Sequence, residues 1–193
     1  MSPVERAIQF HGHLCPGLLI GVRMAEAALH QLGVRPDQDE ELLAIVENDS
    51  CSVDAIQAIL GCTFGKGNLI FLDYGKQVVT VASRLNNRAV RIAGRFTEKK
   101  SPERLRFSEL NRLPSLTPDE VGELETLRLA IFEQMMNCSL DDMFIIQEVD
   151  ITWPPKAAIY PTVACTRCGE GVAGHRVVES EQGSLCLPCS KEV

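Results

Sequence analysis

The chain has 193 residues, 45% of them hydrophobic, and a formal charge of −7. That is enough apolar material for one full-sized domain plus a small appendage, and it excludes a disordered or fibrous chain. The acidic surplus counts against a general nucleic-acid binder, because neutralising phosphates requires an excess of Lys and Arg.

The early apolar stretch at 14–22 is broken by Cys15-Pro16 and lacks the basic flank of a secretory segment. No run is long enough to span a bilayer. The expectation is a cytoplasmic protein whose eight cysteines stay reduced and available for metal or redox chemistry. Pro16 suits a first helical position, and Leu18, Leu19, Val22, Ala25 and Leu29 follow at helical spacing until Gly33 and Pro36. Residues 42–47 read as a short buried strand, 48–50 as a turn or cap, and 53–60 as a compact helix stopped by Gly61. Residues 69–74 and 77–83 are β-branched or aromatic runs separated by Gly75, the pattern of a hairpin.

Asn86-Asn87 then predicts a turn and residues 89–93 a strand. Arg84, Arg88, Arg91 and Arg95 read as a solvated sheet edge, with an anion-binding strip as the alternative. Helices are predicted at 103–110 and 119–136, a strand at 144–151, and an extended linker from Trp153-Pro154-Pro155. The expected fold class is α/β (α+β), a mixed β-sheet flanked by helices. Its domains are a core at 1–152, a linker at 153–163 and a small C-terminal zinc ribbon at 164–193.

The ribbon rests on Cys165, Cys168, Cys186 and Cys189, a C-x2-C-x17-C-x2-C arrangement. Two knuckles facing each other supply the tetrahedral sulfur cage that Zn²⁺ accepts. So short a segment buries little apolar surface, so the metal, worth about 10–16 kcal/mol in small zinc peptides, would hold it together. Two disulfides or a redox C-x2-C are the alternatives. A cage of four protein ligands leaves no position for substrate, so chemistry is sought in the first domain.

Three segments there carry reactive side chains. In the first, His11, His13 and Cys15 alternate just ahead of a helix, so in an extended stretch all three project to one side and can address one ion or substrate. Cys15 would also sit at the helix cap, where backbone N–H groups favour a thiolate. In the second, Cys51 opens a helix and Asp54 follows three residues on, as a cap, a base or the partner of a ligating histidine. In the third, Cys62 and Lys66 lie in a glycine-punctuated loop between helix and strand where backbone N–H groups can approach an anion. This is not a Walker A loop, because three residues separate Gly61 from Gly65 and Gly67 stands where Ser or Thr is required. Cys138 reads as structural, His30 as solvent-facing, and His175 as a spare ligand within the ribbon.

At His11-Gly12-His13 with Cys15-Pro16-Gly17, at Cys51-Ser52-Val53-Asp54-Ala55-Ile56-Gln57, and at Gly61-Cys62-Thr63 with Gly65-Lys66-Gly67-Asn68, the chain resembles the FmdE family, named for a component of formylmethanofuran dehydrogenase. Asp73-Tyr74-Gly75-Lys76 and the terminal cysteines extend the resemblance over essentially the whole chain. It implies an α/β core, a zinc module, homodimers, and a cleft lined by His11, His13, Cys15, Cys51, Asp54, Cys62 and Lys66. A second metal in that cleft would be held by histidine and thiolate. The implied role is redox chemistry, or metal or sulfur handling, linked to molybdenum or tungsten formylmethanofuran dehydrogenase-type enzymes. That reading makes the chain a metal-dependent or thiol-based oxidoreductase component. The alternative is a non-catalytic accessory or regulatory subunit that binds a small ligand or metal and a protein partner.

Overall fold

The computed structural model describes residues 1–96, 101–156, 158–181 and 183–191. The chain divides into two compact units, Met1–Pro154 and Pro155–Val193. Residue 157 of the expected linker and residues 182, 192 and 193 of the expected ribbon lie outside the described residues.

The first unit opens with a helix that the sequence reading does not anticipate. Ser2 and Glu5 form a capping box, with Glu5 N–H donating to Ser2 Oγ at 3.2 Å and Ser2 N–H to Glu5 Oε2 at 2.7 Å. Pro3 follows at the first helical position, where a missing N–H has no partner to lose. This gives α1 (Pro3–His11), which Gly12 stops at φ +95°. Helix α2 (Pro16–Leu32) starts from Cys15 as N-cap and buries Leu18, Leu19, Val22, Ala25 and Leu32. Helix α3 (Cys51–Leu60) buries Ile56, Ile59 and Leu60 against it. Each such aliphatic side chain contributes about 1.5–3 kcal/mol of apolar burial. Close approach of these helices depends on Gly21, where a Cβ would lie 2.7 Å from Ser52 Cα and 2.8 Å from Ala55 Cβ.

These helices lie on a mixed sheet built from β1 (Leu42–Val46), β2 (Leu69–Phe71), β3 (Val78–Ser83), β4 (Arg88–Gly94) and β5 (Phe144–Glu148). The strand order is β2-β1-β3-β4-β5; β1 and β2 run parallel and the other neighbours antiparallel. Helices α4 (Pro102–Leu110), α5 (Pro118–Asn137) and α6 (Leu140–Met143) connect β4 to β5.

Two sequence expectations are corrected here. Residues 69–74 and 77–83 do not form a hairpin, because β1 lies between β2 and β3. The apolar run Leu42–Val46 needs ladder partners on both edges once both its faces are covered. The intervening chain rounds its end through Leu72 N–H to Val46 O and Lys76 N–H to Glu47 O, each 2.9 Å. Nor do the arginines mark a sheet edge, since β4 is flanked by β3 and β5. Their side chains are engaged locally instead. Arg91 pairs with Glu47 at 3.0 Å, Arg88 with Glu148 at 2.8 Å, and Arg95 Nε donates to Asp141 O at 2.6 Å.

In the second unit β6 (Thr162–Ala164) pairs with β7 (Gly171–Ala173), and β8 (Val178–Ser180) with β9 (Gly183–Leu185), followed by α7 (Leu187–Ser190). Cys165 and Cys168 lie in the first turn, and Cys186 and Cys189 follow β9. The apolar cluster is Cys165, Leu185 and Cys186 with Val172 and Cys189 against it, a core in which the sulfurs themselves are the main content.

Candidate functional site

The expected alternation of His11, His13 and Cys15 on an extended stretch is not how they meet. His11 is the last residue of α1, Gly12 reverses the chain, and Cys15 caps α2. A positive φ at Gly12 folds this corner without the steric penalty of a Cβ. The outcome is still convergence, with one ligand atom from each of His11, His13 and Cys15 all within 4.8 Å of one another. The two imidazole rings have centroids 4.6 Å apart, and Cys15 Sγ is 3.8 Å from His11 Nε2. Donors on a tetrahedral ion with bonds of roughly 2.0 and 2.3 Å stand roughly 3.6 Å apart, so this pair is already near ligating separation.

Helix α3 completes the surroundings. Asp54, in its first turn, accepts a hydrogen bond from His11 Nδ1 at 2.7 Å, which leaves Nε2 turned toward Cys15. A carboxylate on the far nitrogen of an imidazole fixes ring and tautomer for metal binding. Cys51 comes alongside because residue 17 is glycine; a Cβ there would meet Cys51 Cβ at 3.3 Å. Burial pushes the Cys51 thiol up, and the neighbouring Cys15 adds to the effect. The start of α3 is tied down by Asn48, whose Oδ1 accepts from Ser50 N–H at 3.1 Å and whose Nδ2 donates to Lys76 O at 2.6 Å. Gln77 Nε2 donates to Ser52 Oγ at 2.7 Å. A cavity of about 420 Å³ adjoins the cluster, lined by His11, Cys51, Asp54 and Gln57 and by the aromatic rings of Phe64 and Phe71.

Cys62 and Lys66 belong to a different place. Cys51 opens α3 and Cys62 follows its end, and ten helical residues separate such positions by about 15 Å. Cys62 is fully buried, and burial pushes its thiol up to about 12, with Asp37 contributing. Lys66 forms an ion pair with Asp37, whose side chain is itself fully buried. Asp37 also accepts from Asn68 Nδ2 at 2.9 Å and Leu42 N–H at 2.8 Å. This is a satisfied structural knot that pins the loop before β2 to the start of β1. The single cleft of seven residues expected from the sequence is therefore His11, His13, Cys15, Cys51 and Asp54 in one place and Cys62 with Lys66 in another.

Sequence reasoning does not single out Asp37, Phe64, Phe71 or Gln77, and it meets Gln57 only as the end of a family motif. Phe64 and Phe71 are 62% and 38% exposed, and nothing in a sequence distinguishes such rings from core aromatics. Asp37 follows Pro36 in a stretch that reads as an ordinary turn.

In the second unit Cys165, Cys168, Cys186 and Cys189 place their sulfurs within 4.8 Å of one another, a group that can hold a metal ion. Backbone N–H groups of Cys168 and Cys186 hold the Cys165 thiol down at about 6, while the crowding of Cys186 pushes Cys189 up to about 12. One ready thiolate beside others that resist ionisation is the situation a dication resolves, so the donor set fits a four-cysteine metal site.

A mixed α/β unit with a His/Cys cluster at a helix corner, followed by a four-cysteine ribbon, is the class of protein these features define. The chain belongs to the FmdE family: residues 10–145 match the family described as "FmdE, Molybdenum formylmethanofuran dehydrogenase operon". It is 33% identical over 196 aligned positions to a probable S-adenosyl-L-methionine-binding protein of Archaeoglobus fulgidus, a match covering 96% of this chain and 51% of the relative. The chain thus spans about half the length of that relative. The crystal structure of a tungsten formylmethanofuran dehydrogenase FmdE-like protein from Syntrophus aciditrophicus is similar to it, with a TM-score of 0.64 and 26% identity. That likeness covers 98% of this chain and 90% of the other.

Proposed function

We propose that His11, His13 and Cys15 form a metal site separate from the four-cysteine cage. On this reading the protein handles metal or sulfur, or does redox work, for molybdenum or tungsten formylmethanofuran dehydrogenase-type enzymes. The observation that supports it best is the hydrogen bond from His11 Nδ1 to Asp54, which presents Nε2 to the sulfur of Cys15. A borderline ion such as zinc, nickel or iron suits a donor set of imidazole and thiolate, and would supply Lewis acidity with a coordination position left open. His13 is exposed and faces incoming ions, whereas His11 and Cys15 are half-buried. Cys51 stands beside Cys15 as the reserve sulfur. The ribbon would hold a structural zinc.

The burial of Cys62 removes it from thiol redox chemistry and leaves Cys15 and Cys51 as the candidate thiols of the site. A buried thiol held at about 12 is neither nucleophile nor redox partner near neutral pH. The same observation supports a second reading, a non-catalytic accessory protein whose cluster stores an ion or passes it to a partner. Both versions include a cytoplasmic homodimer. The S-adenosyl-L-methionine of the Archaeoglobus relative is not carried over, because about half of that protein lies outside the match.

Metal analysis of the anaerobically purified full chain tests the reading. Two equivalents per chain are expected, with one lost in His13→Ala/Cys15→Ala and the other in Cys165→Ala. A single equivalent that vanishes with the ribbon cysteines would leave the His/Cys corner without a task.

A further inference from the structure

A second hollow in the first unit is larger than the one beside His11 and takes no part in the proposed metal chemistry. It has a volume of about 980 Å³ and lies where β3 begins and β4 ends. That size falls within the range of about 300–1,000 Å³ typical of small-molecule sites. Ile20 of α2, Phe107 of α4, Met135 of α5 and Phe144 of β5 give it apolar walls.

The charged groups on its lining are unbalanced. Lys76, Arg91, Arg95 and Arg104 line it, against Asp142 among the described acidic residues. Arg91 is neutralised by Glu47 at 3.0 Å. Arg95 donates to the carbonyl of Asp141, which uses one N–H and leaves the guanidinium charge in place. Lys76 stands 5.8 Å from the centroid of the Tyr74 ring, and neither it nor Arg104 has a carboxylate within ion-pair distance among the described residues. Among the described residues, three exposed cations without a carboxylate partner therefore stand around an apolar hollow in a chain whose net charge is −7.

We infer that this cavity binds an organic anion with an apolar body, its charged head held by Lys76, Arg95 and Arg104 and its body packed on Ile20, Phe107, Met135 and Phe144. A neutral apolar ligand would leave the exposed cations to water and use only the walls, and a bare inorganic anion would leave the walls facing water. A molecule that carries both properties engages both halves of the lining.

The test is displacement of anilinonaphthalene sulfonate from the full-length protein by decanoate and, in parallel, by 1-decanol. Saturable binding of the dye is expected, with decanoate displacing it at concentrations at least about tenfold below the alcohol, as charge-assisted contacts predict. In Lys76→Ala/Arg104→Ala, checked for folding by circular dichroism, the two displacers should become equivalent. His13→Ala/Cys15→Ala should leave the preference intact, which keeps this site distinct from the metal corner. Equal potency of acid and alcohol on the native chain would overturn the inference without any variant. Failure of the dye to saturate would do the same, including the case in which dye binding is lost as the chain self-associates and a second copy fills the hollow.

Discussion

Asp54 of α3 and His11 of α1 are joined by a 2.7 Å hydrogen bond across 43 residues of sequence, and through it one helix start holds the ring at another helix end. Loss of a partner that orients a ligating histidine costs about 10–100-fold in metal affinity. Asp54→Ala should weaken the first-unit site by that factor and leave the ribbon untouched. Zn²⁺ titration against a chromogenic chelator measures both. Unchanged affinity would show that the ring needs no such support.

Gly21 is where α2 and α3 touch most closely, with Ser52 and Ala55 facing it. A methyl group introduced there meets backbone as well as side chain. Gly21→Ala should lower stability by about 1–3 kcal/mol, as overpacking does. Because Ser52 follows Cys51, metal binding at the corner should weaken with it. Urea denaturation and metal titration of the same variant give the two numbers; a variant of native stability would show that the helices separate without cost.

Cys62 is the buried thiol at the far end of α3, raised from 9 to about 12 by its surroundings. A folded-state value above the unfolded one means the contribution is whole below pH 9 and declines as pH rises from there toward 12. At pH 8 an alkylating reagent should modify Cys62 only after unfolding. Peptide mapping of the native chain checks the point, and rapid native labelling would contradict the assigned burial.

Glu41 carries a carboxylate held at about 2 by backbone N–H groups of Asp39 and Gln38, at 2.8 and 3.0 Å. The depressed value fixes the sign: its contribution is complete above 4.5 and is lost as pH falls through 4.5 toward 2. Glu41→Gln should flatten the acid limb of the stability curve in that window. Parallel limbs for the two proteins would mean that the turn at 38–41 is not held by charge.

The second unit has little apolar core besides its sulfurs. Removing metal with a strong chelator, or substituting Cys186→Ser, should strip hydrogen-exchange protection from β6 to β9 while the first unit keeps its own. Retained protection in those strands would mean that the hairpins stand without an ion.

How much is legible in advance varies with the range of the interaction. The helix at 16–32 follows from Pro16, the spacing of Leu18, Leu19, Val22 and Ala25, and the stop at Gly33, all of which act within a few residues. The helix ahead of it carries the same kinds of local signal, a start at Ser2, Pro3 and Glu5 and apolar Val4, Ala7 and Ile8 at helical spacing, and escapes the reading only because it is a short nine-residue element. The hairpin about Gly75 is absent for a different reason. Pairing of β2 and β3 competes with insertion of β1 between them, and nothing local tells which of two apolar runs will take the middle.

The sequence by itself determined which chemistry this protein owns: imidazole and thiol at a helix corner, four sulfurs in ribbon spacing, and the motifs that mark its family, since covalent order and short spacing act before the chain folds. Only the tertiary structure decided which of those groups meet. Helix α3, itself readable from the local pattern at 53–60, keeps Cys62 away from Cys51, while the contact of His11 with Asp54 across the reversal at Gly12 is encoded in no local pattern. The same packing left three cations around an apolar hollow, a juxtaposition of residues from separate elements that exists only once the helices have closed on the sheet.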